Sequence, residues 1–241
     1  MKQQDLFEIL KSHPYPGRGI VLGLTPDGTK AALAYFIMGR SAGSRSRAFV
    51  KNGADLAIQM LDGGKILDTS LILYTPLRTL DGRVVVTNGD QTDTIVAALE
   101  NGSSFEEALC TRRHEPDAPH FTPRISGMQT FGSAFSYKLS ILKAGAESGE
   151  TCVRETFDYE PVKGAGHLIH TYQMDGLVLP SFSGEPRTVS IPDDFTAFAE
   201  GVWNALNAEN KVALYARYTD LKSGVYEGRI FNQYMAEGMK A

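Results

Sequence analysis

Two apolar runs separated by a tight turn constrain the fold of this chain more than any other feature of its sequence. Residues 19–24 and Lys30–Met38 are rich in aliphatic side chains, and Thr25-Pro26-Asp27-Gly28 lies between them. Proline fixes its own φ, and glycine accepts the positive φ that a reversal of the chain requires. The two runs therefore predict a β-hairpin near the start of the chain.

Other strands and helices are predicted along the rest of the chain. Apolar runs at 56–61, 71–74 and 83–87 predict strands that are buried on both faces. Capping residues and apolar spacing predict helices at 5–13, from Thr92 or Asp93 to Leu99, from the capping box that begins at Ser104, and from Asp193 or Asp194 to Leu206. Further strands are predicted at 124–129, 134–142, 152–159, 168–174, 188–191 and, as the last one, 212–218. Strands in two runs around a pair of helices favour one layered α+β domain.

The composition is that of an ordinary globular protein and argues against several kinds of partner. A net charge of −4 provides no overall attraction for nucleic acid or an anionic membrane. The sequence has no apolar run of the ~20 residues that a membrane helix needs and opens with no signal peptide, so we expect a cytoplasmic protein. Cys110 and Cys152 have no partners at zinc-site or disulfide-framework spacing, and we expect both to be reduced and buried.

The first candidate site is the loop 39–47. It carries Arg40, Arg45 and Arg47 together with serines and two glycines, directly after an apolar run. Guanidinium groups can meet phosphate oxygens with two parallel hydrogen bonds, and small residues let backbone donors approach closely. The loop is not a Walker motif, because no Gly-Lys-Ser/Thr ends it. A solvated basic hairpin loop explains the same composition, so both interpretations stay open.

The second candidate site is the polar loop 87–94, which contains Asn88 and Asp93 and joins a predicted strand to a predicted helix. Such loops direct backbone N–H groups and side chains into clefts at strand ends. A turn followed by an N-cap explains Gly89 and the threonine or aspartate that would cap the helix. It does not explain why so many amide and carboxylate groups share one loop.

The third candidate site is the proline-rich loop 112–124. Glu115 could transfer protons there if burial raised its pKa, although a glutamate before proline is more often solvated. His114 and His120 are equally ambiguous. His167 and His170 are three apart in a predicted strand and so face opposite sides of the sheet, which makes them a poor metal pair.

Taken in order, these segments resemble the archaeal-type IMP cyclohydrolase family. The family pattern has an arginine loop after an early hairpin, a strand ending in tyrosine, Ser/Thr-Asn-Gly-x-x-Thr-Asp-Thr-Ile, and Thr-Pro-Arg-Ile. Here the corresponding segments are residues 40–47, Leu71-Ile72-Leu73-Tyr74, residues 87–95, and Thr122-Pro123-Arg124-Ile125. The resemblance covers residues 17–135 and is weaker beyond them. We expect one domain, 1–241, with an N-terminal extension at 1–16.

The resemblance implies a fold and a reaction. The fold is a four-layer αββα sandwich like that of N-terminal nucleophile hydrolases but without a processed nucleophile, and Gly17-Arg18-Gly19 indeed offers no Ser, Thr or Cys there. The reaction closes 5-formamidoimidazole-4-carboxamide ribonucleotide to IMP with loss of water, in purine biosynthesis. Both reacting groups are on one ring, so the enzyme must chiefly fix a rotamer, stabilise an oxyanion and move protons. No metal or other cofactor is required.

The family pattern also implies roles for individual residues. Arg45 and Tyr74 would orient and polarise the formyl oxygen, and Glu115 would transfer protons. The remaining positions would bind the nucleotide: Arg40 and Arg47 in the arginine loop, and Asn88, Asp93 and Arg124 at the base or ribose, although Thr-Pro-Arg could instead brace the pocket. The expected partners are this purine nucleotide, the IMP product and further copies of the chain in a homo-oligomer.

Two other functions compete with this one. An amidohydrolase on the same layered core would need an N-terminal nucleophile, which the sequence does not offer. A non-enzymatic purine-nucleotide-binding module would keep the arginine loop, but it would not need Tyr74 and Glu115 in one pocket.

Overall fold

The computed structural model describes residues 3–61 and 74–235. In chain order its elements are α1 (Leu6–Ser12), β1 (Arg18–Leu24), β2 (Lys30–Met38), α2 (Ala42–Arg45), β3 (Arg47–Asn52), β4 (Asp55–Met60), β5 (Leu77–Leu80), β6 (Arg83–Thr87), α3 (Gln91–Glu100), α4 (Phe105–Cys110), β7 (Arg124–Thr130), β8 (Ser136–Ala144), β9 (Cys152–Tyr159), β10 (Ala165–His170), β11 (Arg187–Ser190), α5 (Phe195–Ala205), β12 (Lys211–Asp220) and β13 (Tyr226–Asn232). Within these residues, no helix has the length and apolar character needed to cross a membrane.

The strands form two antiparallel sheets, which confirms the predicted α+β class. One sheet has the order β11-β10-β1-β2-β12-β13, and the other runs β3-β4-β5-β6-β7-β8-β9. The predicted hairpin is present, because β1 pairs with β2 from Arg18 opposite Ile37 to Leu24 opposite Ala31. Gly28 has a φ of 77° in the turn, as the sequence predicts.

Apolar cores lie between the two sheets and between each sheet and its helices. Ile20 and Leu22 of β1 pack between the two sheets with Val84 and Val86 of β6. On the opposite face of the first sheet, Val21 packs against α1 and α5. The outer face of the second sheet packs against α3 and α4. Alternate residues of β1 therefore serve two different cores, which explains why this strand is apolar on both faces.

Helix ends follow local hydrogen bonding. Ser104 and Glu107 form the predicted capping box of α4, and Asp194 caps α5 by accepting the Ala197 N–H. The prediction that Thr92 or Asp93 caps α3 was wrong, since the helix begins at Gln91 after Asp90. The physical reason is that the Thr92 hydroxyl donates back to the Gly89 carbonyl, 3.1 Å away, from inside the first turn.

Other boundaries and burials differ from the predictions. The sequence patterns did not predict β3, β5 and β13, and 212–218 is not the last strand, because β13 follows it. Residues 71–73 of the predicted strand 71–74 lie outside the described residues. Both cysteines are free, but Cys110 is exposed at the end of α4 and Cys152 is only partly buried, so the prediction of burial was wrong. Cys110 is the last residue of α4, and Cys152 begins β9 and packs at the edge of the core that holds α3 and α4.

One side chain joins the two sheets at their β3 and β13 strands. Asn232 accepts the Phe49 N–H at 2.8 Å through its Oδ1 and donates its Nδ2–H to the Phe49 carbonyl at 2.9 Å. The amide thus pairs with β3 as a strand neighbour would. This fixes the position of β3, which begins at Arg47.

Candidate active site

Strand alternation points several polar side chains into the layer between the sheets. Arg18 precedes the inward-facing Ile20 by two residues, and Arg47 precedes the inward-facing Phe49 in the same way. Tyr35 belongs to the same core, between the inward-facing Leu33 and Ile37. Because Arg18 pairs with Ile37 near the end of β2, these side chains gather at one end of the layer.

Two tyrosine hydroxyls meet in this layer. Tyr35 Oη and Tyr74 Oη are 2.7 Å apart. Burial raises the pKa of Tyr35 well above its usual value. Burial also raises the pKa of Tyr74, although the positive charges of Arg47 and Arg18 act against this. Both phenols are therefore protonated at neutral pH, and one of them retains a proton to donate to a bound molecule.

Arg47 is a buried cation with unused hydrogen-bonding capacity. Its side chain is 1% exposed, and its Nε donates to the Ser44 carbonyl at 2.9 Å. Its two terminal nitrogens find no hydrogen-bond partner among residues 3–61 and 74–235. Burial and the nearby charge of Arg18 lower its pKa. A buried guanidinium with two free nitrogens is suited to bind an anion or a carbonyl oxygen.

Arg18 is a site residue that the sequence patterns did not select. Its Nε also lacks a partner within the described part of the chain. Burial alone would lower its pKa, but Tyr172, Glu115 and Tyr74 together raise it. The flanking glycines show how tightly this segment packs, since a Cβ at Gly19 would overlap the Phe36 ring. An isolated arginine between two glycines at the start of an apolar strand was the available signal.

Glu115 is the acidic group of the cluster. It is 3% exposed, and its Oε1 has no hydrogen-bond partner in the described residues. Burial raises the pKa of Glu115 to about 7, against the opposing charges of Arg18 and Arg124. Both the acid and the carboxylate are therefore populated near neutral pH, as a group that exchanges protons requires. Arg18, Arg47, Tyr74 and Glu115 form the group that we call the polar cluster.

Arg45 and Arg40 lie in the same loop but are engaged elsewhere. Arg45 Nε donates to the Gly39 carbonyl at 3.0 Å, and its Nη2 reaches Asn210 Oδ1 at 3.5 Å. Arg40 pairs with Asp175 at 2.7 Å and lies 4.7 Å from the centre of the Tyr15 ring. The structure thus brings Arg47, rather than Arg45, together with Tyr74 and Glu115.

The polar loop before α3 mainly holds itself together. Asn88 accepts the Ile125 N–H at 2.8 Å and donates to the Pro123 carbonyl at 2.8 Å. Arg124 donates to Asp90 at 2.6 Å and to Gln91 at 2.7 Å. Asp93 is exposed and pairs with Arg78 at 2.9 Å. Asn88 and Arg124 therefore brace β6 and β7 near Glu115, whereas Asp93 lies away from the polar cluster.

The histidines show no metal-binding arrangement. His167 lies against Tyr159 between the sheets, and His170 lies against His13 on the other face of β10, as their spacing predicted. Across residues 3–61 and 74–235, no group of three or more His, Cys, Asp or Glu side chains is placed to hold a metal ion.

Comparison with known proteins gives a consistent result. A family model described as IMP cyclohydrolase-like protein matches residues 15–224. An IMP cyclohydrolase from Methanopyrus kandleri is 37% identical over 124 residues, which cover 50% of this chain and 61% of that protein. The IMP cyclohydrolase of Methanothrix thermoacetophila is 27% identical over 164 residues, 63% of this chain and 80% of that one. The IMP cyclohydrolase of Methanosphaera stadtmanae is 34% identical over 119 residues, which cover 47% of this chain and 56% of that protein.

Proposed function

The chain belongs to the IMP cyclohydrolase-like protein family, and we propose that it is an enzyme that closes 5-formamidoimidazole-4-carboxamide ribonucleotide to IMP with loss of water. One observation carries the proposal: Glu115 is buried, has a pKa of about 7 and lies in the electrostatic field of Arg18 and Arg47. Each of these arginines has at least one nitrogen without a hydrogen-bond partner in the described residues. A proton carrier beside cationic donors is what an uncatalysed ring closure lacks.

We also propose that the two sheets and their covering helices form a four-layer αββα sandwich of the type found in N-terminal nucleophile hydrolases. The separate cores of α1 with α5 and of α3 with α4 support this arrangement. Arg18 stands at the start of β1 in place of a nucleophilic residue. The same end of the inter-sheet layer would then serve a reaction that needs charge stabilisation and proton transfer without a covalent intermediate.

The chemistry assigns a role to each member of the polar cluster. The carboxamide nitrogen attacks the formyl carbon, negative charge develops on the formyl oxygen, and this oxygen leaves as water. Arg47 and Tyr74 would donate hydrogen bonds to that oxygen, so Arg47 takes the role that the family pattern implied for Arg45. Glu115 would accept a proton from nitrogen and deliver one to oxygen. Its pKa near 7 suits both transfers.

Nucleotide binding would involve the outer part of the arginine loop. Arg40 would bind the phosphate by exchanging Asp175 for phosphate oxygens, since both are anionic acceptors at the protein surface. Asn88 and Arg124 would act as braces, because their polar atoms are engaged by neighbouring residues. Asp93 is the weakest of the proposed base or ribose contacts, since its carboxylate pairs with Arg78.

The test is to incubate the purified protein with the formamido ribonucleotide, without added metal, and to follow IMP formation by its absorbance. Glu115→Gln should lower kcat by at least tenfold with little change in nucleotide affinity, because a general acid or base contributes about 10²- to 10⁴-fold. Glu147→Gln is the matched control, since Glu147 is exposed and lies outside the polar cluster. Absence of IMP formation by the parent protein would reject the proposed function.

A further inference from the structure

A chain of hydrogen bonds leads from the polar cluster to the protein surface. Tyr172 Oη and Thr122 Oγ1 are 2.7 Å apart, and Thr122 Oγ1 donates to Asp117 Oδ2 at 2.5 Å. Tyr172 and Thr122 are buried, whereas Asp117 is partly exposed. We infer that Tyr172, Thr122 and Asp117 form a proton relay between the candidate active site and solvent. The relay's catalytic use rests on the proposed function.

Counting donors fixes the direction of the chain. A threonine hydroxyl carries one proton, and a carboxylate can only accept. Thr122 therefore gives its proton to Asp117, and its oxygen must accept the proton of Tyr172. Both O–H groups thus point toward Asp117 and the solvent. The lone pairs of Tyr172 Oη are therefore available to the polar cluster.

The inner end of the chain lies next to the charges of the active site. Arg18 acts electrostatically on both Tyr172 and Glu115. Burial raises the pKa of Tyr172, which keeps the phenol protonated and able to pass its proton on. The ring is held in place by stacking on Tyr15, with centroids 5.9 Å apart and planes 13° from parallel. Tyr172 is thus a rigid group rather than a mobile surface phenol.

The outer end is equally well fixed. Asp117 Oδ1 accepts the Thr122 N–H at 2.7 Å, and the Asp117 carbonyl accepts the N–H groups of His120 and Phe121. These bonds close the turn that follows Glu115 in sequence. They hold the carboxylate against Thr122 while leaving it in contact with solvent, which is the geometry that a relay requires.

The proton transfer balances without any further reactant. A proton released from the substrate nitrogen bonds to Tyr172 Oη as the phenolic proton passes to Thr122 Oγ1 and the threonine proton passes to Asp117 Oδ2. Asp117 becomes a neutral acid, and the substrate loses one positive charge or gains one negative charge. The reverse sequence returns a proton to the leaving oxygen. Glu115 and the relay would then be two separate routes for the protons that nitrogen loses and oxygen gains.

A first experiment tests the chain without using activity. Tyrosine labelled with ¹³C at Cζ reports the hydrogen bonding of the phenol by NMR. Asp117→Asn places an N–H donor opposite Thr122 and reverses the chain, so the Tyr172 resonance should shift. In a Thr122→Val background the same substitution should have a much smaller effect, because only the through-space field remains. Equal shifts in the two backgrounds would overturn the inference, whether or not the protein forms IMP.

A second experiment tests the catalytic use of the chain. Thr122→Val keeps the side-chain shape but removes the hydroxyl, and Tyr172→Phe keeps the stacked ring; each should lower kcat about tenfold or more while leaving nucleotide affinity unchanged. Thr122→Ser, which retains the hydroxyl, is the matched control and should restore most of the turnover.

The double variant separates a relay from two structural roles. If both hydroxyls act in one chain, Tyr172→Phe combined with Thr122→Val should be no slower than the worse single variant. The parent's solvent isotope effect should also indicate several protons in flight and should simplify in Thr122→Val. Losses that multiply in the double variant, with an unchanged isotope effect, would show that Thr122 merely closes the turn.

Discussion

Arg45 and Arg47 are only two residues apart, yet their guanidinium groups meet different surroundings. Arg47 is buried with two nitrogens that have no partner in the described residues, whereas Arg45 bonds to the Gly39 carbonyl. We predict that Arg47→Met lowers kcat by about 10²- to 10³-fold, the typical cost of losing one donor to a developing oxyanion. The same variant should unfold at a higher temperature, because an uncompensated buried charge is replaced by an apolar side chain.

Arg45→Met provides the matched control in the same loop. It should change kcat only slightly, and it should not raise the unfolding temperature, because it removes a hydrogen-bonded and partly exposed side chain. Steady-state kinetics and thermal unfolding of both variants decide the assignment. A larger loss of turnover in Arg45→Met than in Arg47→Met would restore Arg45 to the role that the family pattern implied.

Sequence patterns locate the arginine loop but do not distinguish its arginines. The distinction depends on where β3 begins: Arg47 is its first residue, two before the inward-facing Phe49, whereas Arg45 ends the four-residue helix α2. Because the sequence patterns did not predict β3, they could not show which arginine faces the layer between the sheets. Glu115 could be selected because it is the carboxylate of the proline-rich loop that matches the family pattern, but its burial depends on tertiary packing.

At the scale of strands and helices, Asn232 holds β3, the strand that carries Arg47, against β13. It pairs with both backbone polar groups of Phe49, two residues from Arg47. Asn232→Ala leaves these groups without their partner, so we predict a loss of about 2 to 4 kcal/mol in the free energy of unfolding, at roughly 1 to 2 kcal/mol per unpaired group. Urea denaturation measures this loss.

Asn101→Ala is the control for that substitution. Asn101 is exposed and donates one hydrogen bond to the Ala97 carbonyl at the end of α3. Its loss should cost about 1 kcal/mol or less. If the two variants were equally stable, the amide of Asn232 would not be holding β3 against β13.

The elements that the sequence predicted are those with strong local signals. The first hairpin has a proline-glycine turn, and α4 has a capping box, so short-range chemistry defines both. By contrast, β5 has only four residues, and β13 is a partly exposed strand with a glycine as its third residue. Pairing with β6 stabilises β5, and pairing with β12 stabilises β13. Such pairing leaves little trace in the local sequence.

At the scale of the whole molecule, the polar cluster draws on widely separated segments. Arg18 comes from β1 and Arg47 from β3, while Tyr74 and Glu115 stand in connecting segments. Alternation along a strand predicts that two residues share a face, but it does not predict which sheet that face meets. The α+β class therefore followed from the order of the elements, whereas the convergence of the cluster required the packing of one sheet on the other.

The burial of Glu115 should make the stability of the whole protein depend on pH. Its pKa is about 7 in the folded protein, against an ordinary value of 4.5. The folded chain therefore holds a proton that the unfolded chain releases, and the free energy of unfolding should fall as the pH rises from about 4.5 to about 7. Each pKa unit corresponds to about 1.4 kcal/mol, so the full loss is on the order of 3 kcal/mol.

Glu115→Gln isolates this contribution, because glutamine resembles the protonated acid at every pH. We predict that the variant and the parent have similar stabilities near pH 4.5 and that the variant is the more stable protein at about pH 8, by on the order of 3 kcal/mol. Urea denaturation at the two pH values measures the difference, and Glu147→Gln controls for the loss of an exposed carboxylate. A difference that stays the same at both pH values would mean that folding does not raise the pKa of Glu115. In the predicted outcome, Glu115→Gln is more stable than the parent at about pH 8 but has lost the proton carrier. Stability and turnover should therefore change in opposite directions at this one residue.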